Sequence, residues 1–172
     1  TVVMADGSIV LMGGQGGEST GPIGARNDVW RSEDNGATWT QMTASADWRA
    51  RFGHSSVAMP DGSIVLMGGS NDTRYHDVWR SRDNGTTWTE MTASAGWSAR
   101  GFHTSVALPD GSIVLMGGYD GTWYNDTWRS TDNGATWNQI NASAGWTARY
   151  GHSSVAMPDG SIVLMGGAGN YP

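Results

Sequence analysis

Apolar residues in this chain come in short runs, cut every few positions by Gly, Asp, Asn or Pro. Between positions 49 and 97 four such runs can be read: 53–59, containing Ser-Ser-Val-Ala-Met; 63–67, Ser-Ile-Val-Leu-Met; 77–81, Asp-Val-Trp-Arg-Ser; and 87–92, Thr-Trp-Thr-Glu-Met-Thr. Each is rich in β-branched or aromatic residues and bounded by turn formers, which predicts four strands, here a, b, c and d. Pro60-Asp61-Gly62 links a to b and Asp83-Asn84-Gly85 links c to d. Both are hairpin signals in which Gly takes the positive φ. Strand b is apolar throughout, the pattern of a strand covered on both faces. Strand d alternates, with Trp88 and Met91 separated by polar residues, and is expected at a half-exposed outer position.

The pattern repeats. Asp-Gly-Ser-Ile-Val-Leu-Met-Gly-Gly begins at Asp6, Asp61, Asp110 and Asp159; the two later spacings are 49 residues and the first is 55, with about six residues inserted between Gly14 and Asn27. A period of this size marks one supersecondary unit that buries its apolar face only against its neighbours. The predicted fold is all-β: β-propeller blades of four antiparallel strands, about three and a half of them in one propeller domain. The units are expected at 1–48 (strands b, c and d), 49–97 and 98–146 (full blades) and 147–172 (strands a and b). An open arc leaves apolar faces and sheet edges uncovered, so completion of the ring by a second copy or by further sequence is expected.

Two sets of residues carry a resemblance. Gly-His-Ser-Ser-Val at 53–57, Gly68-Gly69, Asp77-Val78-Trp79 and Trp88 resemble a kelch repeat. The turns at 32–39, 81–88 and 130–137 are similar to Asp-boxes, the Ser-x-Asp-x-Gly-x-x-Trp hairpins of sialidases and other propellers. The resemblance implies structural roles for Asp34, Gly36 and Trp39, for Asp83, Gly85 and Trp88, and for Asp132, Gly134 and Trp137. Asp can accept the N–H groups of its own turn while Trp packs beside it. An EF-hand-like calcium loop would need further carboxylates at alternate positions.

Charge narrows the partners. All ten basic residues are Arg, set against thirteen Asp and three Glu, and the net charge is -6. This argues against nonspecific binding to nucleic acid or an anionic membrane. There is no cysteine, which excludes disulfides and thiolate metal sites. No apolar run approaches the roughly 18 residues of a membrane span. Four Asn-x-Ser/Thr sites, at Asn71, Asn84, Asn125 and Asn141, could accept glycans in a secretory setting.

Alternating strand direction places the a–b and c–d turns on one rim and the b–c and d–a links on the other. The first rim is nearly invariant among the copies, whereas the b–c links at 15–26, 70–75 and 119–124 differ in length and chemistry. Varied loops on a rigid scaffold are where recognition is placed. Candidate ligand-binding residues on this rim are Arg74, Tyr75, Trp123 and Tyr124, with Arg51, Arg100 and Arg149 from the d–a links. In some kelch adaptors an Arg at this place lines the central cavity, and the resemblance carries it to Arg51 and Arg149; Arg100 precedes a reversed Gly101-Phe102. The competing reading pairs these Arg with Asp between blades. Trp48, Trp97 and Trp146 read as wedges between blades, and His54, His103 and His152 as structural residues or, one per blade, a metal ring.

An enzyme site needs singular groups among unlike neighbours, but nearly every Arg, Asp and His here recurs at the period. The Arg-Ile-Pro motif of sialidases is absent, and copper chemistry of the galactose-oxidase type lacks its Cys. The expected function is a non-catalytic structural, assembly or protein-interaction module with no cofactor, part of a larger extracellular or cell-surface protein or an array amplified from one blade. The alternative is a glycan- or peptide-binding propeller, and the expected partner is a second copy of the chain or the remainder of a longer propeller chain.

Overall fold

The computed structural model describes residues 1–17 and 24–169, and part of the 15–26 link lies outside them. The described residues contain strands and no helix, so no helix is long and apolar enough to cross a membrane. Three four-stranded antiparallel sheets follow one another: β1 (Val2–Val3), β2 (Ile9–Gly16), β3 (Gly24–Ser32) and β4 (Thr40–Thr43); β5 (Ser55–Ala58), β6 (Ile64–Met67), β7 (Val78–Ser81) and β8 (Thr89–Thr92); and β9 (Thr104–Ala107), β10 (Ile113–Tyr119), β11 (Trp123–Ser130) and β12 (Asn138–Asn141). The short pair β13 (Arg149–Tyr150) and β16 (Ala168–Gly169) flanks a last hairpin of β14 (Ser153–Ala156) and β15 (Ile162–Met165). These are the predicted blades, in a partial propeller whose ring is open.

One boundary differs from expectation. The first unit carries the end of a strand a, because Val2 and Val3 pair with Val10 and Ile9. Only two residues of that strand precede its turn, too few to read as a run. The last unit keeps its own strand a, Ser153–Ala156, paired to Ile162–Met165, so in this chain it does not supply strand a to the first blade.

Packing explains the apolar strand b. Ile64, Val65, Leu66 and Met67 are all fully buried. Ile64 and Leu66 pack with Val10, Met12 and Val29 of the first blade. Val65 and Met67 turn the other way, onto Ile113 and Leu115 of the third. Period-two alternation thus gives each blade two apolar faces, a leading one and a trailing one. The third such layer sets Val114 and Met116 against Ile162 and Leu164. Strands a approach one another across blades, where Ser105 Oγ donates to Ser55 Oγ at 2.9 Å and the Thr104 and Ser154 hydroxyls lie 2.6 Å apart.

Trp48 and Trp97 wedge between blades as anticipated. Trp48 is completely buried and meets Trp88 edge-on at 5.9 Å, and Trp97 meets Trp137 in the same way at 6.1 Å.

The Asp-Asn-Gly hairpins are held by their own side chains. Ser81 Oγ donates to Asp83 Oδ1, Gly85 N donates to Ser81 Oγ, and both Thr87 N and Thr87 Oγ1 donate to the Asp83 carboxylate. Trp88 folds back so that its Nε1 donates to Gly85 O at 3.1 Å. The equivalent hydrogen bonds from Thr38, through side chain and then backbone, and from Ser32 hold the Asp34 carboxyl at about 2. These bonds consume the carboxylate oxygens within the turn. The turn bends through two consecutive positive φ values, 58° at Asn84 and 91° at Gly85.

Gly85 has a second reason to be glycine. A Cβ there would meet Val29 Cγ1 of the preceding blade at 2.6 Å, and one on Gly134 would meet Val78 Cγ1 at the same distance. A Cβ on Gly36, at the same φ of 91°, would have only Trp39 nearby, at 3.9 Å. Backbone strain is therefore shared and the steric clash is not. Gly85→Ala should destabilise the fold by at least about 1 kcal/mol more than Gly36→Ala, read from denaturant midpoints. Equal losses would mean that the hairpin does not press on the neighbouring blade.

Candidate interaction rim

Each d–a link returns alongside the end of strand b, through bridges Phe52 to Ser70 and Gly101 to Tyr119. This path drives the Arg side chains inward. Arg51 is fully buried: Nη1 donates to Asp77 Oδ1 at 2.6 Å and Gly68 O at 2.9 Å, Nη2 to Asp77 Oδ2 at 2.7 Å, and Nε to Arg49 O. Arg100 repeats the arrangement with Asp126, at 2.6 and 3.0 Å, and with Gly117 O. Trp79 Nε1 also donates to Asp77, and Trp128 Nε1 to Asp126, at 2.8 Å each. Burial alone would raise the Asp77 carboxyl, but hydrogen bonds and charge from Arg51, with Trp79, outweigh it and hold the group below its ordinary value.

Burial and bidentate pairing take Arg51 and Arg100 out of the binding rim. The competing reading was right about Asp, although each pair closes within one blade rather than between blades. Tyr75 and Tyr124 cap these ions. The Arg51 guanidinium lies 4.3 Å from the Tyr75 ring, and that of Arg100 lies 3.6 Å from Tyr124, whose hydroxyl donates to Asp120. Arg149 keeps the carbonyl contacts, donating to Thr147 O and Gly166 O, but has no carboxylate partner among the described residues. Removing the carboxylate from a buried pair leaves an uncompensated charge. Asp77→Ala should cost about 3–5 kcal/mol of stability, whereas Arg149→Ala should change it by less than about 1 kcal/mol; similar losses in the two variants would contradict the assignment.

What remains on the rim is a row of rings. Phe52, Phe102, Tyr150, Tyr119 and Trp123 are in successive contact, with centroids 6.0, 6.0, 5.5 and 5.5 Å apart. Exposed Arg74 reaches over Tyr119 at 5.7 Å. Of the candidates, Arg74 and Trp123 thus join one surface, which also includes Phe52, Phe102, Tyr119 and Tyr150. A sequence signal for three of these additions existed. Arg-Phe-Gly, Arg-Gly-Phe and Arg-Tyr-Gly place an aromatic within two residues of every d–a Arg.

Phe102 is the irregular member. Gly53 and Gly151 occupy the equivalent place with φ of 63°, and Phe102 adopts 58° there, a left-handed conformation that costs a side-chain residue about 1–2 kcal/mol. Its backbone bridges the blades, with Phe102 N donating to Gly53 O and Gly151 N donating to Phe102 O. The ring lies over Gly53, where any Cβ would come within 3.2 Å of it, and remains 39% exposed.

The recurring histidines are packing residues. A Cβ on Gly68 would strike His103 Cε1 of the next blade at 2.7 Å, and one on Gly69 would strike His54 Cβ of its own blade at 2.8 Å. The first glycine of the doublet thus faces the next blade's imidazole, and the second faces the Cβ and backbone of His54 in its own blade. No group of three or more His, Cys, Asp or Glu capable of holding a metal occurs among the described residues. Burial, then Arg51, push His54 down to about 3; burial, then Arg100 and His54, do the same to His103. Both stay neutral when folded, while the unfolded chain takes up protons near 6.5. Stability is thus complete above about pH 6.5 and falls as pH drops toward 3, by about 1.4 kcal/mol per pH unit for each histidine. Urea midpoints should decline between pH 6.5 and 4.5, before the carboxylates titrate, and His103→Gln should flatten that decline; a flat wild-type profile would contradict it.

The site and fold define an open β-propeller arc with an aromatic rim. The chain belongs to the Sortilin-Vps10 family, whose model, described as sortilin, neurotensin receptor 3, matches residues 27–164. Among solved structures, that of YjhT superposes with a TM-score of 0.77 at 17% identity, covering 95% of this chain. The chain spans 57% of the length of YjhT, and at this identity the likeness is one of fold. A search of curated proteins gives no match.

Proposed function

We propose that this chain is a non-catalytic protein-interaction module that holds an extended peptide segment of a partner against its b–c/d–a rim, within a larger extracellular or cell-surface protein. The observation that carries this reading is the continuous row from Phe52 to Trp123, flanked by exposed Arg74. Rigid aromatic surface with a nearby guanidinium is the usual composition of an interaction hot spot. Apolar side chains of the segment would lie over the rings, and its carboxylates would meet Arg74.

Family membership supports an interaction role and an extracellular setting. The kelch-like Gly-Gly and Asp-Val-Trp elements and the Asp-box-like hairpins support a scaffold role for the rest of the blade. The periodic recurrence of Arg, Asp and His supports a non-catalytic reading, since chemistry needs groups that do not repeat.

Phe102 separates function from folding. Phe102→Gly relieves the left-handed strain, so stability should hold or rise, while affinity for a selected peptide should fall about tenfold or more, as it should for Trp123→Ala. Ligands are selected from a displayed peptide library, with a glycan array run in parallel, and affinities are measured by calorimetry. Binding indifferent to both substitutions, or selection of a single sugar class with no peptide, would overturn the proposal.

A further inference from the structure

The repeat breaks at one position just past the end of strand c. Glu33, Arg82 and Thr131 stand at equivalent places, each two residues after a recurring arginine, Arg31, Arg80 or Arg129. In the first blade the arginine meets two carboxylates: Arg31 Nη2 donates to Asp6 Oδ2 at 2.7 Å, and Nη1 lies 2.6 Å from Glu33 Oε1. The second blade keeps only the first of these contacts. Arg80 Nη2 donates to Asp61 and Nε donates to Ser63 Oγ, but Nη1 has no partner among the described residues. Where the second carboxylate would be stands exposed Arg82, in no ion pair among the described residues.

A pocket of about 220 Å³ lies at this place, lined by Arg80, Arg82, Thr87, Thr89 and Met91, and the equivalent positions of the first blade line its counterpart. The Arg80 side chain is 5% exposed and two of its three nitrogens are fixed, so Nη1 is held in position before any ligand arrives. Hydrogen bonds from Ser63, then the charges of Arg80 and Arg82, outweigh burial and hold the Asp61 carboxyl below its ordinary value, so this anchor stays ionised. Thr87 is committed to Asp83, which leaves the exposed Thr89 hydroxyl as a further donor. The second blade is covered on both sides within the chain, so the pocket is independent of how the ring is completed. We infer that it takes a carboxylate from an acidic segment of a partner protein, with Arg80 Nη1, Arg82 and the Thr89 hydroxyl donating to it. The first blade displays the occupant, since the Glu33 carboxylate sits at Arg31 Nη1. A planar guanidinium matches a carboxylate, and the net charge of -6 works against a long polyanion such as a sulfated polysaccharide. The pocket lies beside the c–d hairpin, on the rim opposite the aromatic row, and neither proposal depends on the other.

The probe is a capped triglutamate peptide, with the triglutamine peptide as control and a sulfated disaccharide run in parallel, followed by NMR on the guanidinium N–H signals. The triglutamate peptide should shift the Arg80 and Arg82 signals saturably, and the triglutamine peptide should leave them in place. Arg82→Glu rebuilds the first blade's arrangement, so the Kd read from the Arg80 signal should rise about tenfold or more. Glu33→Arg copies the second blade's arrangement onto the first, so the Arg31 signal should begin to respond to the peptide as the Arg80 signal does. Both substituted positions are exposed, and circular dichroism checks that the fold is kept. No shift of Arg80 and Arg82 at millimolar triglutamate, an equal response to triglutamine, a Kd unchanged by Arg82→Glu, or a silent Arg31 in folded Glu33→Arg would overturn the inference. Tighter binding of the disaccharide than of triglutamate at Arg80 would overturn it too, by assigning the pocket to sulfate.

Discussion

Everything in this fold depends on the contact between one blade's trailing valine and methionine and the next blade's leading isoleucine and leucine. A four-stranded sheet of such short strands has no core of its own. Its strand b is apolar on both sides because both sides are interfaces, and burying them is the main favourable term available to the chain. The other features serve that stacking. Tryptophans of the d–a links fill the wedge between sheets, and the Asp-Asn-Gly hairpins press their glycines onto the preceding valine. The Gly-Gly doublet clears room for the next blade's imidazole and for the backbone at its own blade's histidine.

Stacking also explains which polar groups are free to act. Arg51 and Arg100 must pass under the glycine doublet to tie the d–a link to strand c, and burial at that point requires a carboxylate, supplied by Asp77 and Asp126. Their aromatic caps, Tyr75 and Tyr124, are committed to the same task. The proposed recognition falls to side chains that the blade does not need, among them Phe102, Trp123 and Arg74. Phe102 departs from the repeat at a cost in backbone energy, as residues kept for function commonly do.

Much of the architecture was legible in the chain. The period, the alternation of strand d and the continuous apolar strand b identify the blades and their order, because local pattern and neighbour contact repeat together. Strand a of the first blade was missed, since Val2 and Val3 are too short a run to announce a strand. The site was read less well. Arg beside an aromatic looks alike in sequence whether it is buried in an ion pair or presented to a ligand, and the deciding fact, an Asp that lies 26 residues later yet within 2.6 Å, comes from folding. The aromatic row gathers Phe52, Phe102, Tyr119, Tyr150 and Trp123 from four links, a proximity that no local window contains.

The central claim is that neighbouring sheets, rather than each blade alone, stabilise the chain. It is tested most directly by making one substitution in two places with the same local sequence: Met67→Ala, where Met67 is fully buried between blades, and Met165→Ala, where Met165 is 48% exposed on the open face. Under conditions where the chain is monomeric, denaturant unfolding should show a loss of about 2–5 kcal/mol for the first and less than about 0.5 kcal/mol for the second. Comparable losses at both positions would contradict the account.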